Sequence, residues 1–98
     1  MYVEIIEEAP FALVREAEDL RALSVRCAGA DAAVADRGLH AAGLGAVVDG
    51  HAWLDPAVLR ESAGVEIPEA DWAGFVAVAE RFGWLDDLGR IRAHLVDK

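Results

Sequence analysis

Asp49-Gly50-His51-Ala52-Trp53-Leu54-Asp55-Pro56 is the stretch whose reading decides the fold. Asp-Gly accepts the positive φ angles of a type I′ turn, whose twist matches that of the paired strands. Between Ala46-Val47-Val48 and His51-Ala52-Trp53-Leu54 it predicts a two-residue hairpin, with Val48 facing His51, Val47 facing Ala52 and Ala46 facing Trp53. Side chains alternate along a strand, so Ala46, Val48, His51 and Trp53 share one face while Val47, Ala52 and Leu54 share the other. Both faces are substantially apolar. Either both are covered within the domain or one meets a partner chain.

Downstream, Asp55 and Pro56 supply an N-cap and a first helical residue, with Val58 and Leu59 pointing inward and Gly64 at the end. After an extended link at Val65-Glu66-Ile67, Pro68 opens a helix with Trp72, Phe75, Val76, Ala79 and Phe82 on one face. Gly74 within it costs about 1 kcal/mol against alanine, which suggests a close crossing. Gly83 closes the helix and directs Trp84 back onto Ala79. Trp84-Leu85, a turn over 86–89 and Arg90 to Leu95 then read as a terminal hairpin.

Upstream, Tyr2 to Ile6 alternates as a strand suited to a sheet edge. Pro10 fits a first helical position, and Leu13, Val14, Ala17 and Leu20 recur at helical spacing. Leu23, Val25 and Cys27 alternate as a second strand. Asp31 caps a helix that runs to about Ala42, where Gly43 takes the left-handed position and Leu44 touches Leu39. From about residue 23 the order is βαββαβ, which resembles the split arrangement of ferredoxin-like domains, with an N-terminal strand and helix added. One α+β domain over residues 1–98 is expected, its small mixed or antiparallel sheet packed against helices.

Composition narrows the function. With 18 acidic and 9 basic residues the formal charge is −9, which disfavours phosphate backbones and anionic membrane surfaces. It keeps a small protein soluble and suits a basic protein partner. No apolar run is long enough to span a bilayer, and Met1 to Glu8 lacks the positive region of a signal peptide. A single cysteine, Cys27, allows no internal disulfide and fits a reducing cytoplasm. Eight arginines against one lysine, with abundant alanine, is the skew of a high-GC bacterial genome.

Candidate chemistry is sparse. His40, His51 and His94 form no metal-ligand spacing. Nor is there a nucleophile elbow, a Walker loop or a calcium loop. His40 in a last helical turn is explained by the helix dipole, and Cys27 by the core. His51 sits beside Trp53, with Asp49 and Asp55 near enough in sequence to orient an imidazole. Arg90, Arg92 and His94 form the chain's basic stripe, able to hold a carboxylate or phosphate. Salt bridges with Glu4 or other acids are the simpler explanation of that stripe.

The leading expectation is a non-enzymatic protein that works by protein–protein association. It would form a homodimer through a sheet face or edge, or act as an accessory, antitoxin-like or immunity-like partner of a basic protein. The competing expectation is a small-molecule binder or enzyme, with a pocket between sheet and helices lined by His51, Trp53, Arg90, Arg92 and His94. No cofactor or metal is called for by any motif.

Overall fold

A computed structural model describes residues 1–8 and 10–98. The strands are β1 (Tyr2–Ile6), β2 (Phe11–Arg15), β3 (Ser24–Cys27), β4 (Gly45–Val48), β5 (His51–Leu54) and β6 (Ile91–Asp97). The helices are α1 (Ala32–Ala41), α2 (Pro56–Glu61) and α3 (Glu69–Arg81). All six strands join one mixed sheet in the order β2-β1-β3-β6-β5-β4. Its centre, β1-β3-β6, is parallel, and antiparallel pairs flank it on both sides.

The central hairpin forms in the expected register, with Val48 opposite His51, Val47 opposite Ala52 and Ala46 opposite Trp53. Asp49 and Gly50 both have positive φ, at 51° and 80°, as a type I′ turn requires. Asp55 caps α2 through the N–H groups of Ala57 and Val58, and Pro56 is its first residue. Asp31 caps α1 in the same way, through Ala33 and Val34. Two helices end in Schellman motifs. Leu44 N–H donates to Leu39 and Gly43 N–H to His40 after α1, while Trp84 N–H donates to Ala79 and Gly83 N–H to Glu80 after α3.

One face of the sheet is covered and the other is open. Val3, Ile5, Val25, Cys27, Ala52, Leu54, Ile91 and Ala93 point inward and are buried. All of these except Ile91 share one core cluster with Leu39 of α1, Leu59 of α2 and Trp72 of α3. Each large side chain buried there contributes about 1.5–3 kcal/mol. Gly38 lets α1 approach closely, since a Cβ there would stand 2.8 Å from the Phe11 carbonyl oxygen and 3.2 Å from an Ile5 methyl.

Several expectations need correction. The segment from Pro10 is not a helix. Phe11 to Arg15 forms β2, antiparallel to β1, with Ala12 and Val14 against the covered face and Phe11 and Leu13 exposed. The apolar spacing there fits both periods, and pairing with β1 selects the strand. This addition makes β1 an interior strand and not an edge. From β3 onward the chain order is strand, helix, strand, strand, two helices, strand. The joined strands β3 and β4 enclose both β6 and β5, whereas a split βαβ unit encloses one strand. Phe82 does not continue the buried face of α3 but is 62% exposed, because the helix ends there and the chain turns. Gly74 marks no close crossing, for a Cβ there would meet nothing within 4 Å.

Candidate functional site

The open face of the sheet gathers the residues that the sequence singled out. Trp53 lies directly opposite Arg92 across β5 and β6, and His51 opposite His94. The two imidazoles are 6.3 Å apart and tilted by 49°, too far for a direct hydrogen bond. His51, Trp53 and Arg92 are half-buried and His94 is exposed. Arg90 continues the stripe just before β6, half-buried and held by Asp86 at 2.7 Å. Burial pushes the Asp86 carboxyl up, but the N–H groups of Arg90 and Leu88 and the Arg90 guanidinium outweigh it and hold the group below the usual carboxylate range.

All five residues therefore share a side of the sheet, yet they line two separate hollows. A shallow depression lies among Val48, Asp49, His51, Trp53, Asp86, Asp87, Leu88 and Arg90. A deeper pocket of about 650 Å³ lies between β6, α3 and the segment before β3, and Arg92 and His94 are among its lining residues. The expected single pocket holding all five does not form. A structural reason is the sheet itself, since β6 pairs with β5 along residues 91–94 and separates the two hollows.

The aspartates near His51 do not orient it. Asp55 spends its carboxylate on the first turn of α2, and Asp49 sits in the turn. Glu4 does not pair with the basic stripe either. It binds the Arg15 guanidinium at 3.0 Å and lies 3.6 Å from the Lys98 amine. Ser24 is the ladder partner of His94 across β3 and β6, but among the described residues no hydrogen bond joins them. The nucleophile–base contact that acyl transfer needs is thus not assembled in this arrangement. His40 stands 3.4 Å from Asp36 at the exposed end of α1. Cys27 is fully buried, and desolvation pushes its thiol up, away from the thiolate that reactivity requires. Among the described residues no three metal-ligating side chains converge.

Two features of this surface escaped sequence reasoning. Arg15 and Arg26 join Arg92 on the open face, with the Arg26 guanidinium 3.6 Å over the Tyr2 ring, a cation–π contact. Among the described residues, Glu4 is the one acid on the open face of a strand. The deep pocket is the other feature, and Gly74 was its one sequence signal. Chemically, guanidinium groups beside aromatic surface suit contacts with anionic and flat apolar groups. Comparison of the chain with protein-family models, with curated proteins and with solved structures finds no match.

Proposed function

We propose that the protein works by self-association, two copies meeting through the open faces of their sheets. The observation that carries this reading is the uncovered parallel centre, β1-β3-β6. Parallel sheets are ordinarily buried on both faces, and here one face exposes Phe11, Leu13 and Val48 beside half-buried Tyr2, Ile6 and Trp53. Charge supports the same choice. The chain carries −9, so two copies repel over most of their surfaces, but the open face bears Arg15, Arg26 and Arg92 against Glu4. Approach there avoids the bulk of the repulsion.

The faces are better suited than the edges. A two-residue hairpin pairs Val48 with His51, so the Val47 N–H points away from β5, and Asp36 accepts it at 2.8 Å. That contact blunts the β4 edge against further strand pairing. At the other edge α1 lies close to Phe11 of β2. A second reading, an accessory or neutralising role towards a basic protein, is favoured by the concentration of acids everywhere except the open face. In either case the free, buried Cys27 suits a reducing cytoplasmic setting.

Light scattering coupled to size exclusion tests the dimer. The expected result is twice the chain mass at tens of micromolar, and a monomer for Leu13→Asp, which buries a charge only in the dimer. A wild-type chain that stays monomeric at the highest soluble concentration overturns the proposal. So does a Leu13→Asp variant that remains dimeric.

A further inference from the structure

We infer that the pocket beside β6 is a binding site for a small amphipathic amine, an apolar body ending in one ammonium group. The pocket lies on the α3 side of the sheet and does not rest on self-association through the open face. Its volume of about 650 Å³ lies within the ~300–1,000 Å³ typical of small-molecule sites. Leu20, Leu23, Phe75, Val78, Trp84 and Ile91 line it, the mostly aliphatic and aromatic composition that such sites share. Val78 and Trp84 are 45% and 37% exposed, apolar surface that a ligand would take out of water.

The hollow has a structural origin. β3 pairs with β6 only from Ser24 and His94 onward, so residues 91–93 of β6 have no β3 residue beside them. Trp84, whose carbonyl oxygen accepts the Arg92 N–H at 2.8 Å, takes part of that place. The Arg92 and His94 side chains alternate with Ile91 and Ala93 and stand on the open face. They supply no charge here, and β6 borders the hollow through its backbone and through Ile91 and Ala93. Ala79 and Ile91 are buried without joining the cluster that holds the rest of the core, and both line the hollow. The core is thus interrupted where the second half of α3 passes β6.

The sign of the ligand's charge follows from the helix face that lines the hollow. Asp71, Gly74, Phe75 and Val78 fall at i, i+3, i+4 and i+7 of α3, and all four line it. The Asp71 carboxylate therefore stands at one end of that stripe. About 10 Å of helix axis separates it from Val78, room for an apolar chain lying along α3. Asp71 takes part in none of the ion pairs among the described residues, and neither does Glu18. Glu18 and Asp19 line a shallower depression that adjoins the pocket and shares Leu20, Arg21, Asp71 and Gly74 with it. Arg21, the cation at this mouth, is held by Asp19 at 3.0 Å with its side chain 90% exposed. The mouth thus carries excess negative charge over an apolar interior. An ammonium beside Asp71 is attracted there while its apolar body fills the interior, and a carboxylate is repelled.

Titration calorimetry with octylamine, octanol and octanoate at neutral pH and low salt tests the site in the full chain, with amide shifts of Gly74 and Val78 locating the binding. Octylamine is expected to bind one per chain, about fivefold more tightly than octanol, the scale of exposed charge pairing. Octanoate should bind more weakly than octanol. Asp71→Asn should remove most of the preference for octylamine over octanol while octanol binding stays unchanged. A Cβ at Gly74 would meet nothing within 4 Å, so Gly74→Leu places a side chain in the hollow without displacing protein atoms. It should weaken all three ligands at least tenfold, with the helix retained by circular dichroism. Leu13→Asp, which addresses self-association, should leave octylamine binding unaltered. The proposal falls if octylamine does not bind, or if octanol or octanoate binds as tightly. It falls equally if Asp71→Asn keeps the preference, if Gly74→Leu leaves the affinities intact, or if the shifts map to the open face.

Discussion

The two antiparallel hairpins of this molecule are held in place by different means. β4–β5 carries its own instructions: Asp49-Gly50 sets the turn, Asp36 covers the outer N–H of Val47, and Asp55 starts the next helix at its end. β1–β2 is fixed from outside its connecting segment. Arg15 grips Glu4 across the pair, α1 seats Gly38 against Phe11 and Ile5, and the Met1 amino group donates to the carbonyl oxygens of Asp19 and Ala22. The first hairpin to be specified locally is therefore the later one in the chain. The earlier one depends on the rest of the fold, as strand pairing commonly depends on its neighbours more than on intrinsic preference.

The sharpest way to break the later hairpin is at its base and not at its turn. Gly45 opens β4 opposite Leu54 with φ at 156°, and a Cβ there would stand 1.8 Å from the Trp53 carbonyl oxygen. Neither backbone can give way without losing the ladder. Gly45→Ala is expected to cost at least about 3 kcal/mol, which for a domain of this size lowers the melting temperature by roughly 12 °C or more. Thermal unfolding followed by circular dichroism reads it. A loss of only a few degrees would show that the β4–β5 register is looser than its turn implies.

Gly38→Ala probes the corresponding dependence of the earlier hairpin. The added methyl would press on the Phe11 carbonyl at 2.8 Å and on Ile5 at 3.2 and 3.3 Å. Overpacking of this kind costs about 1–3 kcal/mol, and the gain of about 1 kcal/mol in helix propensity offsets part of it. The net expectation is a loss of up to about 2 kcal/mol in urea unfolding, with the slope unchanged. A stabilised variant would mean that β1–β2 yields to α1, and that the contact does not position the hairpin.

This difference also explains what could be read from the residues. The caps at Asp31 and Asp55, the glycine endings at Gly43 and Gly83, and the 46–54 register are local chemistry, and each was legible. Phe11 to Arg15 was not. Leu13, Val14, Ala17 and Leu20 satisfy a helical period, while the strand assignment needs Tyr2 to Ile6 as a partner. The candidate site divides in the same way. Alternation placed Arg90, Arg92 and His94 together, and the hairpin placed His51 with Trp53. Their meeting across β5 and β6 required the insertion of β6 beside β5, which no residue announces. Arg15 and Arg26 carry no comparable signal, because Arg15 lies where the apolar spacing fits two periods and Arg26 on a strand whose neighbours only the sheet order supplies. Gly74 reads as the mark of a close crossing, but the structure leaves open space there, which a glycine permits and does not require.

The smallest expected effect concerns the segment that follows β2. The Arg21 guanidinium and its backbone N–H hold Asp19 at 3.0 to 3.2 Å, and this hydrogen bonding lowers the Asp19 carboxyl from 3.8 to about 2. A carboxyl depressed in the folded state stabilises it above the unfolded value, and that contribution disappears as the pH falls from about 3.8 towards about 2. The side chains are exposed, so the effect on global stability is slight. Its local trace is measurable: the Asp19 carboxyl resonance should titrate near pH 2 and return to the ordinary range in Arg21→Ala. Amide exchange in β2 should quicken across that pH window relative to exchange in β4 and β5, after correction for the intrinsic pH dependence of exchange. Equal changes in both hairpins would show that the Asp19–Arg21 pair does not help to hold the earlier one, leaving Arg15, Gly38 and the Met1 contacts to do so.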